Sequence, residues 1–172
     1  MAQGLLIVDV QNELVEALDP ARRKTLFTNV NLLAERARDR GIPIVYVRHG
    51  DDGLRQGTQP WEIATEIGPH ANEPIVDKHF GDAFKETDLG DVLAARNIDH
   101  VVICGMQSDF CVDATARGAR ERGYGVTLAQ DAHATYPSGG KTEAQIHDEL
   151  HAGLRALDVE LVPSASALRP VK

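Results

Sequence analysis

Short apolar runs alternate along the chain with longer segments of helical period. Leu5-Leu6-Ile7-Val8 is the first run and predicts a buried strand. Between Arg22 and Arg40, apolar Leu26, Val30, Leu33 and Ala37 recur every three or four residues, with Asp19-Pro20 before them and Gly41 after, which predicts a helix. Ile42 to Val47 predicts a second strand, with Pro43 confined to its start because proline gives the ladder no donor. Ile75-Val76-Asp77 predicts a short third. Thr87 suits the cap of a helix running to about Asn97, and Val101 to Cys104 then predicts a fourth strand ending at Gly105. Val112, Thr115, Ala116 and Ala119 form the next helical stripe, closed by Gly123, and Gly125 to Ala129 predicts strand five. Thr142-Glu143-Ala144-Gln145 has the form of a capping box, followed by Ile146, Leu150, Leu154 and Leu157 on one helical face; Val159 to Val162 predicts the last strand. The main irregular stretch runs from Arg48 to Thr65.

Alternation of this kind predicts one α/β domain over residues 1–172, doubly wound, with a mainly parallel six-stranded sheet and helices on both faces. Ligands of such sheets bind beyond the carboxyl ends of the strands, where the winding reverses. Hydrophobic residues make up 42% of the 172 residues and charged residues 26%, which excludes a disordered chain. The formal net charge of -8 disfavours nucleic acid and anionic membrane surfaces as partners. Two cysteines, Cys104 and Cys111, are too few for a disulfide scaffold, no basic n-region precedes the first apolar run, and no run reaches the ~20 residues of a membrane span. A cytoplasmic protein is the expectation.

Three reactive side chains fall at or just beyond strand ends: Asp9, Lys78 and Cys111. A cysteine in the first turn of a helix meets unpaired N–H groups and the positive end of the dipole, which favour thiolate, although a small buried thiol is the common alternative. Cys104, inside an apolar run, fits that alternative. A carboxylate after four apolar residues needs a partner or a reaction, and Lys78 can supply a structural ion pair or a catalytic one.

The ordered set Leu6-Ile7-Val8-Asp9-Val10-Gln11-Asn12, Lys78 with Phe84, Gly105-Met106-Gln107-Ser108-Asp109-Phe110-Cys111-Val112 with Thr115 and Ala116, and Gly123-Tyr124 leading to Asp131-Ala132 resembles the isochorismatase-like cysteine hydrolases over nearly the whole chain. The resemblance implies a three-layer, Rossmann-like α/β/α fold and a catalytic triad of Asp9, Lys78 and Cys111. It also implies a cis peptide between Met106 and Gln107, with the N–H groups of Gln107 and Cys111 forming an oxyanion hole, and a homodimer or higher homo-oligomer. The expected reaction is metal-independent, cofactor-free hydrolysis of a C–N bond in a small amide through a thioester. An isochorismatase-type vinyl-ether hydrolase and a non-catalytic binding or redox-sensing domain are the alternatives.

Departures from the family's subgroups narrow this reading. The Asp-x-His pair typical of metal-dependent nicotinamidases is absent from Arg48-His49-Gly50-Asp51-Asp52, and Leu14 stands where an aromatic residue is common in their pockets. Cys111 favours C–N over vinyl-ether chemistry. Candidate pocket residues are Gln11, Leu14, Trp61, Phe80 and Phe110, the aromatics competing with plain core packing. His49, His79 and His133 could each pair with Cys111, with no spacing to choose between them, whereas His147 and His151, four apart, are expected on a solvated helix face.

Overall fold

In the computed structural model, which describes residues 1–170, strands β1 (Gln3–Val8), β2 (Ile44–His49), β3 (Ile75–Lys78), β4 (His100–Met106), β5 (Gly125–Ala134) and β6 (Glu160–Val162) form one sheet in the order β3-β2-β1-β4-β5-β6. Every pairing is parallel. A parallel sheet is covered on both faces, so its central strands can be apolar throughout, and alternate residues then serve different cores. Leu5 and Ile7 of β1, Ile44 and Tyr46 of β2, and Val102, Cys104 and Met106 of β4 join one core; Leu6 and Val8, Val45 and Val47, and Val101 and Ile103 join the other.

Helix α1 (Asn12–Glu16) follows β1, and the long α2 (Pro20–Asp39) packs Leu26, Val30 and Leu33 into the first core. Asp19 caps α2, its Oδ1 accepting the N–H of Ala21 at 2.7 Å and of Arg22 at 3.3 Å. Helices α3 (Leu89–Ala94), α4 (Asp113–Glu121) and α5 (Glu143–Arg155) supply Leu89 and Leu93, Ala116 and Ala119, and Leu150 and Leu154 to the second core. The expected capping box of α5 is present, with Thr142 and Gln145 each bonding the other's backbone N–H. Short α6 (Ser164–Ala167) returns to the first core.

Some boundaries differ from the sequence expectation for local reasons. Strand β2 begins at Ile44 because Pro43 has no N–H to give the ladder, although its carbonyl still accepts the Leu5 N–H at 2.9 Å. Helix α3 begins at Leu89, yet Thr87 still acts as its stop for free donors, its Oγ1 accepting the Leu89 N–H at 3.3 Å. Strand β5 continues to Ala134 because its pairing with β4 shifts register between Ile103 and Gly105 and resumes at His133 and Ala134. The stretch after β2 holds two single turns, Gln59–Trp61 and Thr65–Ile67. No helix of the described residues is long and apolar enough to cross a membrane.

Candidate active site

The winding reverses between β1 and β4, and the chain leaves both strands on the same side of the sheet. The two strands can run this close because Gly105 pairs with Val8: a Cβ at Gly105, where φ is +118°, would lie 2.0 Å from the Val8 carbonyl oxygen. Asp9 follows Val8 with φ at +51°, a left-handed turn that aspartate tolerates better than most residues, and its N–H is held by the Val47 carbonyl at 2.9 Å. The side chain is thereby turned into the protein, 1% exposed.

Lys78 closes β3 opposite His49 of β2, and this register brings the two side chains together. Buried Lys78 Nζ lies 2.9 Å from Asp9 Oδ2 and 3.0 Å from His49 Nδ1, and donates to Cys111 Sγ at 3.2 Å. Three side chains from three different strand exits thus meet one ammonium group. The Asp9 carboxylate is thus charge-paired with Lys78 and lies beside the Cys111 thiol, within reach of its proton.

Cys111 sits in a π-helical turn, Ser108–Val112, that joins β4 to α4, and the peptide bond entering this turn, Met106 to Gln107, is cis. The thiol is half-buried. Burial first, and the Asp9 charge second, push it up to about 12, against the pull of Lys78. Desolvation and the neighbouring carboxylate therefore oppose the preference for thiolate expected of a helix start. Burial also pushes the Asp9 carboxyl above its ordinary range, with Lys78 opposing. Cys104, fully buried with Sγ 3.6 Å from the Leu6 carbonyl, is pushed up by burial alone.

Of the candidate histidines, His49 enters the cluster, through Lys78 rather than through Cys111. Its Nε2 lies 3.0 Å from Asp51 Oδ2, so with Lys78 donating to Nδ1 the ring proton sits on Nε2 and points at Asp51. His79 Nδ1 instead donates to the Gly50 carbonyl at 2.8 Å. His133 is buried elsewhere, its Nδ1 2.8 Å from Ser108 Oγ.

The expected solvated face of α5 is also corrected. His147 Nε2 lies 2.9 Å from Ser108 Oγ, and His151 Nε2 lies 2.9 Å from His133 Nε2. Three imidazoles therefore pack together behind the turn that carries Cys111. The β5 register shift, which no spacing signals, brings His133 to them.

The pocket candidates separate. Gln11 is fully buried and its amide is fully engaged: Nε2 donates to the carbonyls of His49 at 2.9 Å and Trp61 at 2.7 Å, and Oε1 accepts the His49 N–H at 2.9 Å. It braces the end of β2 instead of facing a ligand. Trp61 is buried beneath the Arg48 guanidinium, 3.7 Å from the ring centroid. Leu14 packs against the first core, and its carbonyl accepts from the Tyr136 hydroxyl. Phe80 carries the Lys85 ammonium 4.0 Å from its ring centroid, and Phe110, beside Cys111 in sequence, is 59% exposed.

The model of the isochorismatase domain matches residues 3–160. A streptothricin hydrolase of Streptomyces noursei is 35% identical over 96% of this chain, which spans 64% of that relative's length. The structure is similar to that of an isochorismatase from Pseudomonas putida, with a TM-score of 0.86, 28% identity and coverage of 96% of this chain and 90% of that one. It is also similar to an N-carbamoylsarcosine amidase from Thermoplasma acidophilum, with a TM-score of 0.81, 27% identity and coverage of 95% and 97%.

Proposed function

The chain belongs to the isochorismatase family of hydrolases, and from that premise we propose that it is a cysteine amidohydrolase cleaving a C–N bond of a small amide without a catalytic metal. The observation that carries the reading is the convergence of Asp9 and Cys111 on the Lys78 ammonium, with the Asp9 carboxylate beside the thiol it would deprotonate. The named activities of the relatives, a streptothricin hydrolase and an N-carbamoylsarcosine amidase, are consistent with it.

The proposed cycle needs one mobile proton. As Cys111 Sγ attacks the amide carbon, its proton passes to Asp9, so the negative charge leaves the carboxylate and appears on the carbonyl oxygen, which becomes the oxyanion. The oxyanion accepts hydrogen bonds from the N–H groups of Gln107 and Cys111, the second lying in the first π-turn, where backbone donors lack partners within the helix. Asp9 then protonates the leaving nitrogen, the C–N bond breaks, and a thioester remains. Asp9 next takes a proton from water, whose oxygen attacks the thioester; the acid leaves, and the sulfur recovers its proton. Lys78 keeps its proton and stabilises whichever partner carries the charge.

A homodimer or higher assembly belongs to the same proposal, supported by the exposed Phe110 ring next to the nucleophile, and is checked by light scattering. A cytoplasmic setting is supported by two free thiols. The deciding experiment incubates the protein with primary amides, ureido compounds, lactams and isochorismate, reading ammonia or amine release and intact mass. An acyl adduct on Cys111 with amine release, insensitive to EDTA, is expected. Turnover of isochorismate alone, without any adduct, overturns the reading in favour of vinyl-ether chemistry.

A further inference from the structure

Asp9, His49 and Cys111 have a relationship to one another that the proposed reaction does not use. They offer a carboxylate oxygen, an imidazole nitrogen and a sulfur whose atoms all lie within 4.8 Å of one another. A mixed O, N and S donor set is one that zinc and cobalt take readily. What stands among the three is the Lys78 ammonium, 2.9 Å from the oxygen, 3.0 Å from the nitrogen and 3.2 Å from the sulfur.

A second observation points the same way. His49 turns Nδ1 into the cluster while its other nitrogen, Nε2, faces the Asp51 carboxylate at 3.0 Å. Metal-ligating histidines are oriented in this way, the ring nitrogen opposite the metal donating to a carboxylate that fixes the tautomer and raises ligand basicity. Gln11 further pins the His49 backbone through both its N–H and its carbonyl. The imidazole is thus presented with its lone pair toward the cluster before any cation is considered.

We infer that Asp9, His49 and Cys111 form a latent transition-metal site of zinc type, kept free of metal by the tethered ammonium of Lys78. Zinc bonds of about 2.0 to 2.3 Å place tetrahedral ligands roughly 3.3 to 3.8 Å apart, so the three donors must close by about 1 Å around an ion. The ammonium holds them at hydrogen-bond distance and prevents this closure. A divalent ion binds only when Lys78 gives way, and binding replaces the Cys111 proton with a metal–sulfur bond, the proton leaving to solvent. Displacing Lys78 means breaking its buried pair with Asp9, which sets the unsubstituted chain's affinity roughly 10²- to 10³-fold below that of a chain without the amine. In the unsubstituted protein the site is inhibitory, because the captured sulfur is the proposed nucleophile. The donor geometry does not depend on the catalytic reading, and metal binding can be read without turnover.

The full chain and its Lys78→Ala and Lys78→Leu variants are titrated with Co²⁺, following thiolate-to-cobalt charge-transfer absorption in the near ultraviolet and the tetrahedral d–d bands in the visible. One ion per chain is expected in the variants, bound at least about 100-fold more tightly than in the unsubstituted protein. The charge-transfer band is lost when Cys111→Ser is added, and affinity falls at least about tenfold when His49→Ala is added. A variant that does not fold without metal is expected to recover its native circular dichroism when refolded with Zn²⁺. Absence of the band in folded variants, equal affinity with and without Lys78, a band indifferent to His49→Ala, or failure to refold with Zn²⁺ overturns the inference. None of these outcomes bears on amide hydrolysis, so the inference and the proposed function stand or fall separately.

Discussion

Asp9→Asn is expected to make Cys111 more reactive toward an alkylating agent while making the enzyme slower, two effects that most readings of the site would not pair. In the unsubstituted protein the thiol stands at about 12. At pH 7.5 its thiolate fraction is then roughly 3,000-fold below that of an ordinary cysteine near 8.5. Higher basicity makes each thiolate more nucleophilic, with a Brønsted slope of about 0.45, which returns roughly 40-fold. Alkylation by iodoacetamide in the absence of substrate should thus run about 10²-fold slower than for a free thiol.

Replacing the carboxylate by an amide of the same shape removes the neighbouring charge. With an Asp9 oxygen within 4.8 Å of Sγ, the Coulomb repulsion at an effective dielectric of ~20 is about 3.5 kcal/mol, or roughly 2.5 pH units. The same nucleophilicity correction leaves alkylation about 20-fold faster than in the unsubstituted chain. Turnover should fall at least about 10²-fold, since the amide neither accepts the thiol proton nor delivers one to the leaving nitrogen. Lys78→Met should slow alkylation, because it removes the positive charge that favours thiolate. Stopped alkylation followed by peptide mass mapping gives the rates at Cys111, and amine release gives turnover on the same folded samples. A free-thiol rate in the unsubstituted protein refutes the neutral resting thiol. Unchanged alkylation in Asp9→Asn refutes the charge coupling, and near-normal turnover refutes the proton route.

Three further outcomes test the surroundings of the site. Gly105→Ala drives a Cβ to 2.0 Å from the Val8 carbonyl at a φ of +118° and should cost more than about 4 kcal/mol in urea unfolding or prevent folding; a loss under about 1 kcal/mol would mean that β1 and β4 separate easily. Cys104→Ala should cost about 1 to 2 kcal/mol and leave turnover intact, since this buried thiol touches only the core; loss of turnover in a stable variant contradicts that. Burial lowers the proton affinity of His133, with His147 and His151 adding repulsion, and burial lowers that of His147 and His151 also. The unfolded chain therefore binds protons more readily than the folded one below about pH 6.5, and stability, full above that value, should fall as pH drops, by up to about 1.4 kcal/mol per unit for each histidine. Unfolding at pH 7.5 and 5.5 should show this loss, and His133→Asn should reduce it; identical slopes in both proteins would exclude the cluster as its source.

Asp9, Lys78 and Cys111 were legible one at a time, because each lies at or shortly beyond a strand end: Asp9 directly after Val8, Lys78 closing β3, and Cys111 in the turn after β4. Strand ends are visible in composition, and a doubly wound sheet brings those flanking its switch point to one side. The partner His49 was visible only as one of several histidines, since its meeting with Lys78 depends on the β2–β3 register, a relation between two segments 29 residues apart that neither segment encodes alone. The histidines behind the turn were hidden for a related reason: the four-residue spacing of His147 and His151 is the same on a wet face as on a packed one, and only the shifted β4–β5 pairing supplies His133 to pack against. Gln11 shows the opposite failure. Its place two residues after Asp9 marks it as near the chemistry, but whether an amide there faces a ligand or the protein depends on which backbone groups lack partners. At the end of β2 the His49 N–H and carbonyl both need one, and Gln11 satisfies both. Sequence position therefore locates the chemistry at strand ends, whereas cross-strand register and backbone hydrogen-bond demand decide which neighbouring polar residues act in it and which hold it in place.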